Sequence, residues 1–253
     1  MRLARFALTV AAAALFILAA FAPAQAAPVK NIVIVHGALA DGSGWRKVYD
    51  LLKAKGHDVT IVQEPMTSLQ DDVDATHRIL ALQDGPVILV GHSYGGMVVT
   101  EAGNSDKVVG LVYIAAFQPD VAESVLDLAG KTPAPSTGIV ATADGYLYLD
   151  PKVFAADFAA DVSPADTEFM AHSQVLPAKA AFETKSRQPA WKSKKSWALI
   201  TTEDRAINPD LMRMMAKRAG STTVEVKASH AVFISQPEAV ANLIEEASLA
   251  LSK

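Results

Sequence analysis

The sequence contains no cysteine. Disulfides, thiol nucleophiles and cysteine-ligated zinc are thereby excluded. A chain of this size does not need disulfides even outside the cytosol, because it can bury a core large enough to hold it. Basic residues are outnumbered by acidic ones, leaving a formal charge of −4. A mildly acidic surface disfavours nucleic acid and anionic membranes as partners, since both are bound through clustered Lys and Arg. There are no internal repeats. Beyond the N-terminal region no segment is apolar for long enough to cross a bilayer, which takes roughly 20 residues. The N-terminus lacks both a twin arginine and a cysteine for a lipid anchor.

What the N-terminus does carry is a set of export signals. Arg2 and Arg5 precede an apolar run from Phe6 to Ala22, and Ala24-Gln25-Ala26 places small residues at the two positions a signal peptidase reads. Residues 1–26 are therefore expected to be a signal peptide and Ala27 the mature N-terminus. The expected location is the periplasm or the medium. An uncleaved N-terminal anchor is the competing reading. Loss of Arg2 and Arg5 makes the mature chain more acidic still.

Short apolar runs then alternate with helical patterns, the signature of a parallel sheet covered by helices on both faces. Strands are expected over Asn31–Val35, Asp58–Val62, Pro86–Val90, Val108–Ile114, Trp197–Thr201 and Thr222–Val226. Helices are expected over Ser43–Lys55, Leu69–Leu82 with Ser68 as N-cap, Gly95–Ala102, Pro209–Gly220 and Pro237–Leu251. Between Phe117 and Trp191 the alternation stops. Helical patterns appear there around Val121–Leu128, Pro151–Phe158, Pro164–Ala171 and Pro177–Phe182. This insert contains Leu128, Tyr146, Leu147, Tyr148, Phe154, Phe158, Phe169, Met170, Leu176 and Phe182, too apolar a set for a solvated excursion. It reads as a helical cap over the mouth of the sheet, with Tyr146, Tyr148 and Phe154 as candidates to line a substrate pocket.

Gly91-His92-Ser93-Tyr94-Gly95-Gly96 follows a strand and opens a helix. A serine on such a turn sits in strained backbone geometry, and the positions two before and two after it pass too close for side chains. Its hydroxyl is held at a helix N-terminus, where free N–H groups favour negative charge. Ser93 is the candidate nucleophile. Such a serine needs a base and an acid that orients it, arriving in the chain order Ser, Asp or Glu, His, each on a loop after a strand. Of six histidines, only His230 lies in the loop between the last strand and the last helix. His36 and His92 end strands, His57 is in a turn, His77 on a helix and His172 in the insert. Asp204, just after the fifth core strand, is the favoured acid; Glu203, Asp210 and Asp120 stand as alternatives. An oxyanion hole needs two aimed N–H donors. Tyr94, following the nucleophile, and Ala38, in the turn after the first strand, are the candidates. This chemistry calls for no cofactor and no metal.

The segments VIVHGALADGSGW, VGHSYGGMVV, TTEDRAINPDLMRMMAKRAG and SHAVFISQPEAVA resemble the α/β-hydrolase superfamily, and the resemblance runs over essentially all of Pro28–Lys253. They resemble one branch in particular: plant methyl esterases including the salicylate-binding type, hydroxynitrile lyases, and bacterial hydrolases, some acting on pyrethroid esters. The resemblance implies an α/β fold, a mostly parallel six-stranded sheet in superfamily order 4-3-5-6-7-8. It puts Ser93, Asp204 and His230 on the triad, and Ala38 and Tyr94 on the oxyanion hole. The implied activity is that of a serine carboxylesterase, with a small-molecule ester as its partner. Lyases of this branch carry a lysine beside the histidine and a threonine after the first-strand histidine. Ala231 and Gly37 stand there in this chain, which favours hydrolysis over lyase chemistry. Perhydrolase chemistry, or ligand binding without turnover, are the remaining alternatives.

Overall fold

In the computed structural model, which describes residues 27–252, the apolar runs become strands: β1 (Asn31–Val35), β2 (Asp58–Val62), β3 (Val87–His92) and β4 (Val108–Ile114). The insert adds β5 (Ile139–Ala141) and β6 (Leu147–Leu149), and the core resumes with β7 (Lys195–Thr201) and β8 (Thr222–Val226). The six core strands form one sheet in the order β2-β1-β3-β4-β7-β8, with every pairing parallel. This is the expected order 4-3-5-6-7-8 counted along the present chain. The central strands β1 and β3 are buried along their whole length, as strands covered on both faces must be, and so contain unbroken apolar runs. The edge strands β2 and β8 are partly exposed.

Ten helices accompany the sheet among the described residues. They are α1 (Arg46–Ala54), α2 (Leu69–Ala81), α3 (Gly95–Ala102), α4 (Val125–Lys131), α5 (Pro151–Phe158), α6 (Pro164–His172), α7 (Lys179–Glu183), α8 (Pro209–Ala219), α9 (Val232–Ser235) and α10 (Pro237–Ala250). Their starts are set by local chemistry. The Ser68 side chain accepts from Asp71 N–H at the head of α2, and Asn208 followed by Pro209 opens α8, which closes on Gly220 at φ +65°. The helix expected at 121–128 begins instead at Val125, because Ser124 and Asp127 form a reciprocal capping box. The helix expected from Ser43 starts with a 3₁₀ turn over Gly42–Trp45, capped by Asp41, and becomes α-helical at Arg46.

The insert between β4 and β7 holds α4 to α7 and also the two-stranded β5–β6 hairpin, so it is not purely helical. The hairpin escapes a reading by periodicity because its strands have three residues each. Its turn contains Gly145 at φ +90°. Leu128, Leu147, Leu149, Phe154, Phe158 and Phe182 are buried, continuous with the sheet core. Phe169 and Leu176 are exposed, contrary to their expected burial; the former stands on α6, whose residues line a surface cavity described below. No helix among the described residues is long and apolar enough to cross a membrane. The expected signal peptide, residues 1–26, lies outside the described residues.

Candidate active site

β3 runs through the middle of the sheet and delivers Ser93 at its C-terminal end, with α3 beginning two residues later. Ligands of open parallel sheets bind at this end. The turn is as tight as its glycines suggest. A Cβ on Gly91 would lie 2.5 Å from the carbonyl oxygen of Gly95, and a Cβ on Gly95 would lie 2.5 Å from that of His36. Ser93 itself has φ +52°, a region costly for a residue with a side chain. The neighbouring strand holds it there. Ser93 N–H donates to the carbonyls of Ile114 (3.3 Å) and Ala115 (3.2 Å), and Ser93 O accepts from Phe117 N–H at 3.1 Å.

His230 lies in the loop between β8 and α9, buried, with Nδ1 2.7 Å from Asp204 Oδ2. Asp204 also takes Thr201 Oγ1–H at 2.7 Å on the same oxygen, and the N–H groups of Ala206 (2.9 Å) and Ile207 (2.8 Å) on Oδ1. Four donors converge on one buried carboxylate. The three alternative acids are occupied elsewhere: Asp120 with Lys192 at 2.5 Å, Asp210 with Arg213 at 2.7 Å, and Glu203 with Lys227 at 3.4 Å.

The elbow and the histidine loop meet through His92. Its Nε2 lies 3.0 Å from the carbonyl oxygen of His230, and the two rings are 4.7 Å apart. Burial, reinforced by the nearby His230, depresses the His92 pKa well below the ordinary histidine value, so His92 is neutral and donates from Nε2. Among the described residues Ser93 Oγ makes no hydrogen bond to His230. In ligand-free hydrolases this contact is often long and tightens only with substrate.

The turn after β1 is held by a buried histidine. Burial lowers the His36 pKa; its Nδ1 lies 2.9 Å from Gly37 O, and its Nε2 accepts Glu64 N–H at 3.2 Å. A neutral ring with its proton on Nδ1 satisfies both bonds. Gly37 O and Ala38 N–H belong to one peptide plane, so anchoring the carbonyl on one side aims the N–H to the other. Leu39 N–H is taken by Val175 O of the insert at 3.2 Å. Neither Ala38 N–H nor Tyr94 N–H finds a protein acceptor among the described residues, which leaves both free for a ligand oxygen. Gly37 closes this corner: a Cβ there would lie 2.8 Å from Ser93 Cβ and 2.7 Å from His92 Nδ1.

A buried polar cluster lies behind the elbow, built from residues too far apart in the chain to be linked by any local pattern. Tyr94 Oη–H donates to Asp72 Oδ2 at 2.7 Å, Met66 N–H donates to Asp72 Oδ1 at 2.8 Å, and the Tyr94 ring stacks on Phe182 of the insert at 5.1 Å. Burial raises the Asp72 pKa to about 6. Burial, and then the charge of Asp72, push the Glu64 carboxyl well above its ordinary range.

The three pocket candidates from the insert differ in placement. Phe154 is fully buried and stacks on Phe158, whose ring meets His230 edge-on at 4.8 Å. Tyr146 and Tyr148 are half-buried on the β5–β6 hairpin, while Leu147 and Leu149, which alternate with them, point inward. A cavity of about 290 Å³ opens beside the Ala38 turn, with Leu39, Phe169, Met170, Phe233 and Ile234 among its walls. Neither Ser93 nor His230 lines it. Among the described residues no cluster of His, Asp and Glu has the arrangement of a metal site.

A parallel sheet with a strained serine at the head of its central strand, flanked by helices and completed by an Asp-paired histidine two loops away, defines a hydrolase of the α/β class. The chain belongs to the alpha/beta hydrolase family, whose model matches residues 32–243. Salicylic acid-binding protein 2 of Nicotiana tabacum is 30% identical over 85% of this chain and 96% of its own length. A pyrethroid hydrolase of Sphingobium wenxiniae is 26% identical, over 86% and 87%. The crystal structure of polyneuridine aldehyde esterase has the same fold, with a TM-score of 0.74 at 21% identity, covering 86% of this chain and 98% of that one. The chain is a carboxylesterase-type hydrolase.

Proposed function

We propose that this enzyme cleaves small to medium carboxylic esters through an acyl-enzyme on Ser93, with His230 as general base and Asp204 as the acid that orients it. The observation carrying this reading is the buried 2.7 Å contact between His230 Nδ1 and Asp204, on a loop tied through His92 to the serine elbow. Asp204 keeps the ring proton on Nδ1 and leaves Nε2 bare. Nε2 takes the Ser93 proton as Oγ attacks the ester carbonyl, and the oxyanion forms against Ala38 and Tyr94 N–H. The imidazolium returns its proton to the leaving alkoxide, which departs as the alcohol. Water then attacks the acyl carbonyl with the same base, releasing the carboxylic acid and restoring Ser93. Neither step requires a cofactor or a metal.

The relatives' names, methylesterase and pyrethroid hydrolase, support carboxylic esters as the substrate class. The insert would size the pocket, with Tyr146, Tyr148 and Phe154 as contributors. Gly37 and Ala231 argue against the lyase alternative, because they stand where the lyases of this branch carry a threonine and a lysine. Residues 1–26 support export to the periplasm or medium. The test is a panel of p-nitrophenyl and methyl esters of increasing acyl length, together with a lactone and an amide. Turnover confined to the esters, with a release burst of p-nitrophenol on the faster ones, is expected. Absence of turnover on every ester would favour a binding protein built on the hydrolase fold.

A further inference from the structure

The segment that follows α5, inside the insert, grips both neighbours of His230. Asp161 accepts the N–H of Ser229 on Oδ2 at 3.1 Å and the hydroxyl of Ser229 on Oδ1. Phe158 O accepts Ala231 N–H at 2.9 Å, and the Phe158 ring rests edge-on against the His230 imidazole. The same helix end reaches the acid's loop. Arg205, next to Asp204, donates to Asp157 Oδ1 at 2.8 Å; Ser136 Oγ–H donates to Asp157 Oδ2 at 2.7 Å, and Ser136 N–H donates to Arg205 O at 2.9 Å. Three residues of the insert within one short stretch, Asp157, Phe158 and Asp161, thus touch the two loops that bring the acid and the base. On the sheet side, His230 itself is held by its bond to Asp204 and by the His92 bond to its carbonyl.

We infer that Asp161 is a positioning residue for His230, and that the insert sets the rate of the chemical step as well as the choice of ester. The inference rests on the reading of His230 as the base. The Asp204 bond fixes one ring atom but leaves the ring free to swing about it. The backbone on either side of residue 230 fixes the pivot, and that backbone is anchored to Asp161 and Phe158. Catalytic groups must be held within about 0.5 Å and 10–20° of the productive geometry, and a displacement of about 1 Å can cost on the order of 100-fold in rate. Ser229 is buried but Asp161 is exposed, so truncating Asp161 hands Ser229 N–H to water and takes two fixed bonds off the loop, which is then free to move.

The test compares Asp161→Ala with Asp161→Asn. Asparagine can accept Ser229 N–H through its oxygen and donate to Ser229 Oγ through its amide, so it should keep kcat within about threefold. Asp161→Ala should lower kcat by roughly 10–100-fold, by the same factor on short and long esters, with KM within about threefold. A serine-directed phosphorylating reagent separates positioning from misfolding. In Asp161→Ala it should still label one Ser93 per chain, but more slowly, by the factor lost in kcat. In a Ser229→Ala background the effect of Asp161→Ala should shrink, because the hydroxyl bond is already gone. A twofold or smaller change in kcat and labelling rate would overturn the inference. So would a raised KM at unchanged kcat, or a loss of labelled sites in proportion to kcat. His230→Ala separates this from the underlying reading: if that variant stays active, the base is misassigned. If it is inactive while Asp161→Ala is unimpaired, only the positioning role fails.

Discussion

Asp204→Asn isolates the contribution of one proton's location. The structure decides how the introduced amide must sit. At the Oδ1 position two backbone N–H groups, from Ala206 and Ile207, point at the side chain. An NH₂ group there would face two donors and leave them unpaired, at about 1–3 kcal/mol each. The asparagine oxygen therefore takes the Oδ1 position, and the NH₂ takes the place of Oδ2, 2.7 Å from His230 Nδ1 in the parent. It donates to Nδ1, which forces the ring proton onto Nε2, the atom that should receive the Ser93 proton. The base is then lost without moving the ring. In a triad this error costs about 10⁴ in kcat, or about 5.5 kcal/mol of barrier at 1.36 kcal/mol per decade. Folding should suffer far less, since only the Thr201 hydroxyl bond must rearrange, at about 1 kcal/mol. The assay is steady-state hydrolysis of a p-nitrophenyl ester alongside a thermal melt. Asp120→Asn and Asp210→Asn should leave kcat nearly unchanged, because those carboxylates are paired with Lys192 and Arg213. Retention of more than a tenth of kcat in Asp204→Asn, or a larger loss at Asp120, would refute the reasoning.

Other consequences can be checked in parallel. Asp72, with its pKa raised to about 6 by burial, binds its proton more tightly folded than unfolded. Stability should therefore fall as pH rises between about 4 and 6 at this site. Asp72→Asn, which keeps partners for Met66 N–H and Tyr94 Oη, should flatten that part of the pH–stability curve; an unchanged slope in denaturant titrations would contradict it. Truncating Tyr146 or Tyr148 to alanine should shift the preferred acyl length more than it lowers the best kcat/KM, whereas Phe154→Ala, in a fully buried stack, should also destabilise by about 3–5 kcal/mol. Equal loss by the tyrosine variants on every chain length would make the hairpin only structural. Protein exported from a bacterial host should begin at Ala27 by N-terminal mass analysis; an intact Met1 in the membrane fraction would point to an anchor.

The sheet was legible because parallel central strands write themselves as unbroken apolar runs, as NIVIV and VILV do here. The elbow was legible because its sterics act within a few residues, between Gly91 and Gly95. Several carboxylates are open as partners of His230 in the sequence, since which of them reaches a histidine 26 residues away depends on how two loops pair. Contacts of longer range left no local trace. Asp161 and Ser229 lie 68 residues apart, and nothing in either segment announces the other. The place of Tyr94 in the motif marks it as a candidate backbone donor, but its hydroxyl bond to Asp72 on α2 comes only from packing. The β5–β6 hairpin was hidden by strands too short to show a period.

The central claim is that Ser93 carries the acyl group. Its most direct test is covalent trapping: incubation with a serine-directed organophosphate, followed by peptide mass analysis and repeated on Ser93→Ala. The account predicts one label per chain, on the peptide containing Ser93, and activity lost in step with labelling. It also predicts no label in Ser93→Ala, whose kcat should be lower by a factor on the order of 10⁴–10⁶ with its fold intact. A label on another residue, or a Ser93→Ala variant that keeps even a tenth of kcat, would contradict it.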